Sequence, residues 1–198
     1  MVPKKVSPAR PVGMLLAPGA GAGSDQPALV AIDGAVTVAG LTVERVDFPY
    51  RLAGRFRPDQ PAVLEETIRT AARSLADRLG VDTGALLLGG RSMGGRICSQ
   101  VVAGGLPAAG LVLISYPLHP PGRPDKLRTA HFVGITVPCL FISGTRDAFA
   151  TPEELTTATA AIPKPVTHVW IEGGDHSLRR RDAAVAEAVL AWLCSAWP

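Results

Sequence analysis

Six short apolar runs, each followed by a turn and a longer segment with helical character, constrain this chain more than any other feature. The runs are Val12 to Ala17, Leu41 to Phe48, Ala85 to Leu88, Leu111 to Ser115, Val137 to Ser143 and Val166 to Ile171. Their length and continuous apolarity suit strands buried on both faces. The intervening segments are too long for hairpins, so the strands must pair in parallel, with crossover helices on both faces of the sheet. The expected fold is therefore α/β: three layers around an open, mostly parallel sheet of about six strands, in spatial order 2-1-3-4-5-6, with the third strand central.

The helices carry their own signals. Pro27 to Val38 can form the first. Asp59 can cap the second, Pro61 and Glu65-Glu66 suit its first turn, and Leu64, Ile68, Ala71, Leu75 and Leu79 make an apolar stripe that ends at Gly80. A third runs from Met93 to Ala103, and a short one is expected near Lys126 to His131. Thr151-Pro152-Glu153-Glu154 is a capping box opening another. Asp182 is expected to cap the last, which has Val185, Val189, Trp192 and Leu193 on one face.

The third run leads directly into Gly89-Gly90-Arg91-Ser92-Met93-Gly94-Gly95, after which a helix starts at once. A G-x-S-x-G pentapeptide between strand and helix is the setting of a nucleophile elbow, a tight turn that pushes the serine hydroxyl clear of the backbone. Gly90 and Gly94 leave room where a Cβ would collide. The pentapeptide alone is short enough to arise by chance in a glycine-rich chain, so its context carries the inference.

That context extends to two more turns. Asp147 follows the fifth strand in Gly144-Thr145-Arg146-Asp147, and His176 follows the sixth in Gly173-Gly174-Asp175-His176. In an open α/β sheet ligands bind beyond the carboxyl ends of the strands, where Ser92, Asp147 and His176 all fall. The order Ser, Asp, His is that of the α/β-hydrolases. Asp175 competes with Asp147 for the acidic role but directly precedes the histidine. His168 lies within a strand and reads as a packed residue, while His119 and His131 precede the fifth strand and break the order. The turn Pro18 to Asp25, with alternating glycines, lets backbone approach a ligand. It lacks the Gly-Lys-Ser/Thr ending of a phosphate-binding loop.

Taken together, GGRSMGGR, APGAGAGSD and GGDHSL resemble the small, lidless, dienelactone-hydrolase-like branch of the α/β-hydrolases. More narrowly, they are similar to a bacterial hydrolase-like family that includes the hydrolase-like domain of a eukaryotic chromatin-acetyltransferase complex subunit. The resemblance covers residues 12–195. It implies Ser92 as nucleophile, His176 as base, Asp147 as the acid that orients it, and an oxyanion hole from the backbone N–H groups of Ala20 and Met93. It also implies a serine esterase or thioesterase acting on a small-molecule substrate, with no cofactor and no metal. The usual first two strands of that fold are missing from this sequence. The same resemblance leaves a second class open, a catalytically idle hydrolase fold used for protein interaction.

Composition narrows the partners. The 198 residues are 47% hydrophobic and 19% charged with a net charge of +3, which gives no indication of a nucleic-acid partner. The charge is local: Arg91 adjoins Ser92, Arg146 adjoins Asp147, and Arg179, Arg180 and Arg181 follow His176, which suggests an anionic substrate. The plainer alternative is that Arg91 pairs with a carboxylate and the arginine run is a solvated turn. Cys98, Cys139 and Cys194 are odd in number and set in apolar patterns, so they read as buried free thiols of a reducing compartment. Lys4, Lys5 and Arg10 ahead of Met14 to Ala17 faintly resemble a secretory leader, but the apolar run is too short and is broken by prolines. The expectation is a cytoplasmic protein, with residues 1–11 an N-terminal extension and 12–198 a single domain, and with no membrane span.

Overall fold

The computed structural model describes residues 10–198. Its six strands, β1 (Gly13–Ala17), β2 (Thr42–Arg45), β3 (Leu86–Arg91), β4 (Gly110–Ile114), β5 (Cys139–Gly144) and β6 (Val166–Ile171), form one sheet in the order β2-β1-β3-β4-β5-β6. Every neighbouring pair is parallel. The helices are α1 (Pro27–Val38), α2 (Pro49–Leu52), α3 (Pro61–Leu79), α4 (Met93–Ala103), α5 (Pro152–Thr159) and α6 (Asp182–Ala196). Of the expected N-terminal extension, residues 1–9 lie outside the described residues.

Alternation along each strand builds two cores. Leu15 and Ala17, Leu86 and Leu88, Leu111 and Leu113, and Cys139 and Phe141 face α3, α4 and α5. Met14 and Leu16, Leu87, Val112 and Ile114, and Leu140 and Ile142 face α1 and α6. Because both faces are covered, the central strands are buried along almost their whole length and read as near-continuous apolar runs, the pattern that separates a parallel sheet from a half-exposed one. Each fully buried leucine or isoleucine contributes roughly 1.5–3 kcal/mol to this arrangement.

On the α3 side, Leu64, Ile68, Ala72, Leu75 and Ala76 are buried, with Ala71 and Leu79 packed at the margin, and Gly80 closes the helix in the left-handed conformation. The capping box at Thr151 is formed in full: Glu154 N–H donates to the Thr151 side chain, and Thr151 N–H donates to the Glu154 carboxylate at 2.8 Å. No helix among the described residues is long and apolar enough to cross a membrane.

Five local expectations are corrected. No helix forms over Lys126 to His131; a 3₁₀ turn at Phe132–Gly134 follows instead. The Arg128 N–H donates to the Leu118 carbonyl and its C=O accepts from Tyr116 Oη, so long-range partners hold the backbone groups a helix would need. Asp59 does not cap α3; Gln60 is the N-cap, and the Asp59 carboxylate accepts from Arg55 at 2.7 Å. Asp182 lies inside the first turn of α6, whose N-cap is Arg181. The second strand is cut to Thr42–Arg45 because it pairs only with Gly13 to Leu16 at the sheet edge, and Phe48 becomes the N-cap of α2. Cys98 and Cys139 are buried free thiols, but Cys194 is exposed because it sits on the outer face of α6.

Candidate active site

β3 delivers Ser92 to the carboxyl edge of the sheet, with two strands on one side of it and three on the other. The residue has φ 50° and ψ −114°, and α4 starts at the next position. A side chain in this region is uncommon and signals a backbone held by its surroundings. The hold is visible: Ser92 N–H donates to the Ile114 carbonyl of β4 at 2.8 Å, and the turn crosses β1 at close range. A Cβ on Gly90 or on Gly94 would overlap the Ala17 carbonyl, so only glycine lets the three segments meet.

The loops after β5 and β6 bring the other two residues to Ser92. They are laced together by Arg146 N–H donating to Gly174 O at 2.8 Å, Thr145 N–H to Ile171 O at 3.1 Å, and Gly173 N–H to Thr145 Oγ1 at 2.9 Å. His176 Nε2 lies 2.9 Å from Ser92 Oγ, and His176 Nδ1 lies 2.9 Å from both Asp147 carboxylate oxygens. Asp147 is buried, and its Oδ1 also accepts from Phe149 N–H at 2.8 Å. With the carboxylate accepting, Nδ1 carries the imidazole hydrogen and Nε2 presents its lone pair to the serine hydroxyl. The Phe149 ring stacks on His176 with centroids 3.9 Å apart. The Arg91 guanidinium donates to the His176 backbone carbonyl at 2.6 Å. His176 is thus fixed at both ring nitrogens, on one ring face and at its backbone.

The competing residues are engaged elsewhere. Asp175 is exposed and accepts from Ser177 N–H and Oγ–H, bonds that lower its pKa below the usual carboxylate value. His119 lies against Glu154 at 3.3 Å, and His168 against Thr159 Oγ1 at 3.0 Å while stacking on Trp170. His131 Nε2 is 2.8 Å from Ser99 Oγ, but that serine is buried inside α4 and also bonds Arg96 O. Cys98 and Cys139 are poor nucleophiles, since burial pushes both thiols up to about 12. Among the described residues no three His, Cys, Asp or Glu side chains converge to hold a metal ion.

Ser92 opens into a cavity of about 390 Å³ lined by Gly19 and Ala20 after β1, Arg91, Met93 and Arg96 around the β3 turn, Pro117 and Arg128 after β4, and Phe149 and His176 after β5 and β6. The amides of Ala20 and Met93 donate to no acceptor among the described residues. Their neighbours do: Gly19 N–H donates to Gln26 Oε1 at 3.1 Å and Gly21 N–H to Tyr50 Oη at 3.2 Å, which braces the Ala20 turn from both sides. A groove of about 910 Å³ between β2 and α3 is larger, but no histidine and no cysteine lines it, so the site with reactive geometry is the smaller one.

The arginines divide differently from the sequence expectation. Arg91 reaches the cavity wall, yet its guanidinium is turned to the His176 carbonyl. Arg146 is exposed outside the cavity, and Arg179 lines a separate cleft of about 220 Å³ with Gln26 and Asp182. In their place stand Arg96 and Arg128, which sequence reading missed. Arg96 carried a usable signal, four residues after Ser92 and hence on the same face of α4. Arg128 carried none, because a loop places it.

Compared with known proteins, the chain is similar in structure to an α/β serine hydrolase homologue from Coxiella burnetii, with 20% identity over 92% of this chain and 88% of that one and a TM-score of 0.77. A dienelactone hydrolase from Anabaena variabilis matches 94% of this chain and 85% of its own at 21% identity and a TM-score of 0.72. An α/β serine hydrolase without a lid from Xanthomonas campestris matches 93% and 84% at 19% identity and 0.69. These identities speak to the fold. The family comparison reaches further, because residues 10–192 match the description of the alpha/beta hydrolase domain, and the chain therefore belongs to the α/β-hydrolase family.

Proposed function

We propose that this protein is a serine hydrolase that cleaves a small ester or thioester through an acyl-enzyme intermediate. The observation that carries the reading is the unbroken chain from Ser92 Oγ through His176 to the buried Asp147 carboxylate, each step 2.9 Å. A serine hydroxyl is a weak nucleophile at neutral pH. His176 Nε2 takes its proton as Oγ attacks the acyl carbonyl, and Asp147 holds the tautomer and stabilises the imidazolium that forms. The carbonyl oxygen becomes an oxyanion facing the free amides of Ala20 and Met93. Collapse of the tetrahedral intermediate breaks the bond to the alcohol or thiol, which leaves with the proton from His176. Water then repeats the sequence on the acyl-serine and releases the acid.

The cavity volume, with no separate lid domain among the described residues, supports a small substrate over a long lipid chain. The free thiols Cys98, Cys139 and Cys194 fit a reducing compartment, and the cytoplasm is the proposed location.

Incubation with a fluorophosphonate, followed by peptide mapping, tests the reading. The label is expected on Ser92 alone, and Ser92→Ala and His176→Ala are each expected to lower 4-nitrophenyl acetate turnover by ~10⁴-fold or more, because nucleophile and base act as a unit. A folded protein that takes no label would refute the hydrolase reading and leave a hydrolase fold used for interaction.

A further inference from the structure

The cavity carries more positive charge than acyl transfer requires. We propose that Arg96 and Arg128 form a recognition site for a carboxylate on the substrate, one helical turn from Ser92, so that the ester or thioester it selects is a half-ester of a dicarboxylic acid or a close equivalent. The inference deepens the serine-hydrolase reading and rests on it for where the scissile carbonyl lies.

Three observations support the assignment. First, Arg96 and Arg128 both line the Ser92 cavity, and neither guanidinium lies within 4.0 Å of a carboxylate among the described residues. Their protein partners are neutral: Arg96 donates to Gln100 Oε1 at 3.1 Å and Arg128 to Pro117 O at 3.3 Å. Second, the Arg96 Nε–H is buried with no acceptor, a donor left over in a place where an unmet donor costs stability. Third, the backbone that carries each arginine is held in place. The Ser99 hydroxyl donates to Arg96 O and accepts from His131 Nε2, which ties α4 to the segment carrying Arg128, and Tyr116 Oη–H donates to Arg128 O. Like charges facing one cleft repel: burial first, and the charge of Arg96 second, lower the proton affinity of both Arg128 and His131. An incoming anion relieves that repulsion, and a guanidinium fork matches the two oxygens of a carboxylate.

Spacing sets the ligand. Arg96 is one turn, about 5.4 Å of helix rise, from Ser92, and the cavity of about 390 Å³ holds only a short chain between the two. A carboxylate a few carbons from the scissile carbonyl fits, with the chain between them against Met93, Pro117 and Phe149.

The test compares 4-nitrophenyl hydrogen glutarate with 4-nitrophenyl butyrate, which match in leaving group and differ by a terminal carboxylate. In the wild-type protein kcat/KM is expected to be about tenfold or more higher for the glutarate half-ester at low salt, with the margin shrinking as salt screens the charges. Arg128→Gln and the Arg96→Gln/Arg128→Gln pair are expected to bring the ratio towards 1, whatever happens to the absolute rates, and Arg128→Lys to keep part of it. Equal kcat/KM for the two esters in the wild-type protein would overturn the proposal while leaving the hydrolase reading intact. Calorimetric titration with free glutarate needs no turnover, so it decides the site even if the hydrolase reading fails. Binding that disappears in both glutamine variants supports it, and no binding to the wild type, or tighter binding of inorganic phosphate, overturns it.

Discussion

Replacing Arg91 by methionine isolates one contact that reaches from the Ser92 turn to the His176 loop. Adjacent residues of the turn hold the same histidine, Arg91 by its backbone carbonyl at 2.6 Å and Ser92 by its ring at 2.9 Å, across 85 and 84 residues of chain. Burial lowers the Arg91 pKa and the field of Asp147, Asp175 and Asp182 opposes that, so the guanidinium stays charged and its hydrogen bond is charge-assisted. Such a bond is worth about 1.5–3 kcal/mol. Methionine fills similar space and cannot donate. At ~1.4 kcal/mol per tenfold, full expression in the barrier lowers kcat by about 10- to 150-fold, whereas a contact to a backbone atom of His176 leaves KM within about threefold. Asp147 and the stacked Phe149 remain, so activity falls without vanishing. Steady-state kinetics on 4-nitrophenyl acetate read the split, and ethylguanidinium added to Arg91→Ala is expected to restore part of kcat. A wild-type kcat in Arg91→Met, or a loss confined to KM, would refute the positioning role.

Gly94→Ala would drive a Cβ into the Ala17 carbonyl and to 2.6 Å from Pro18 O, both backbone, so a loss of about 1–3 kcal/mol is expected, read as a Tm lowered by ~2–12 °C in calorimetry. Thiol titration of the native protein is expected to find one fast-reacting group, Cys194, and three after denaturation, because burial raises Cys98 and Cys139 to about 12; three fast thiols in the native state would contradict the packing. His131 is lowered to about 4 by burial first and by Arg96 second, so between the unfolded value near 6.5 and about 4 the unfolded chain binds the extra proton. Stability is therefore expected to fall as pH drops through that window, and denaturant midpoints of His131→Gln are expected to change less over it than those of the wild type.

The strand and helix periods are local, and they were enough. Burial of both faces of β1, β3, β4 and β5 follows from apolar runs that need two covered faces, and the parallel pairing follows from the length of the crossovers. The meeting of Ser92, Asp147 and His176 was legible for the same reason, because each follows a strand whose carboxyl end had to lie on one edge of the sheet. Loop conformation was not legible. Whether residues 126–131 coil into a helix is decided by Leu118 and Tyr116, which take the Arg128 backbone groups from outside the segment. The arginines depend on tertiary structure in the same way: adjacency to a reactive residue says nothing about direction, and a side chain of that reach goes where an acceptor lies. Sequence order put Arg91, Arg146 and Arg179 near Ser92, Asp147 and His176, but packing turned Arg91 to the His176 carbonyl, left Arg146 and Arg179 outside the cavity, and brought in Arg96 and Arg128.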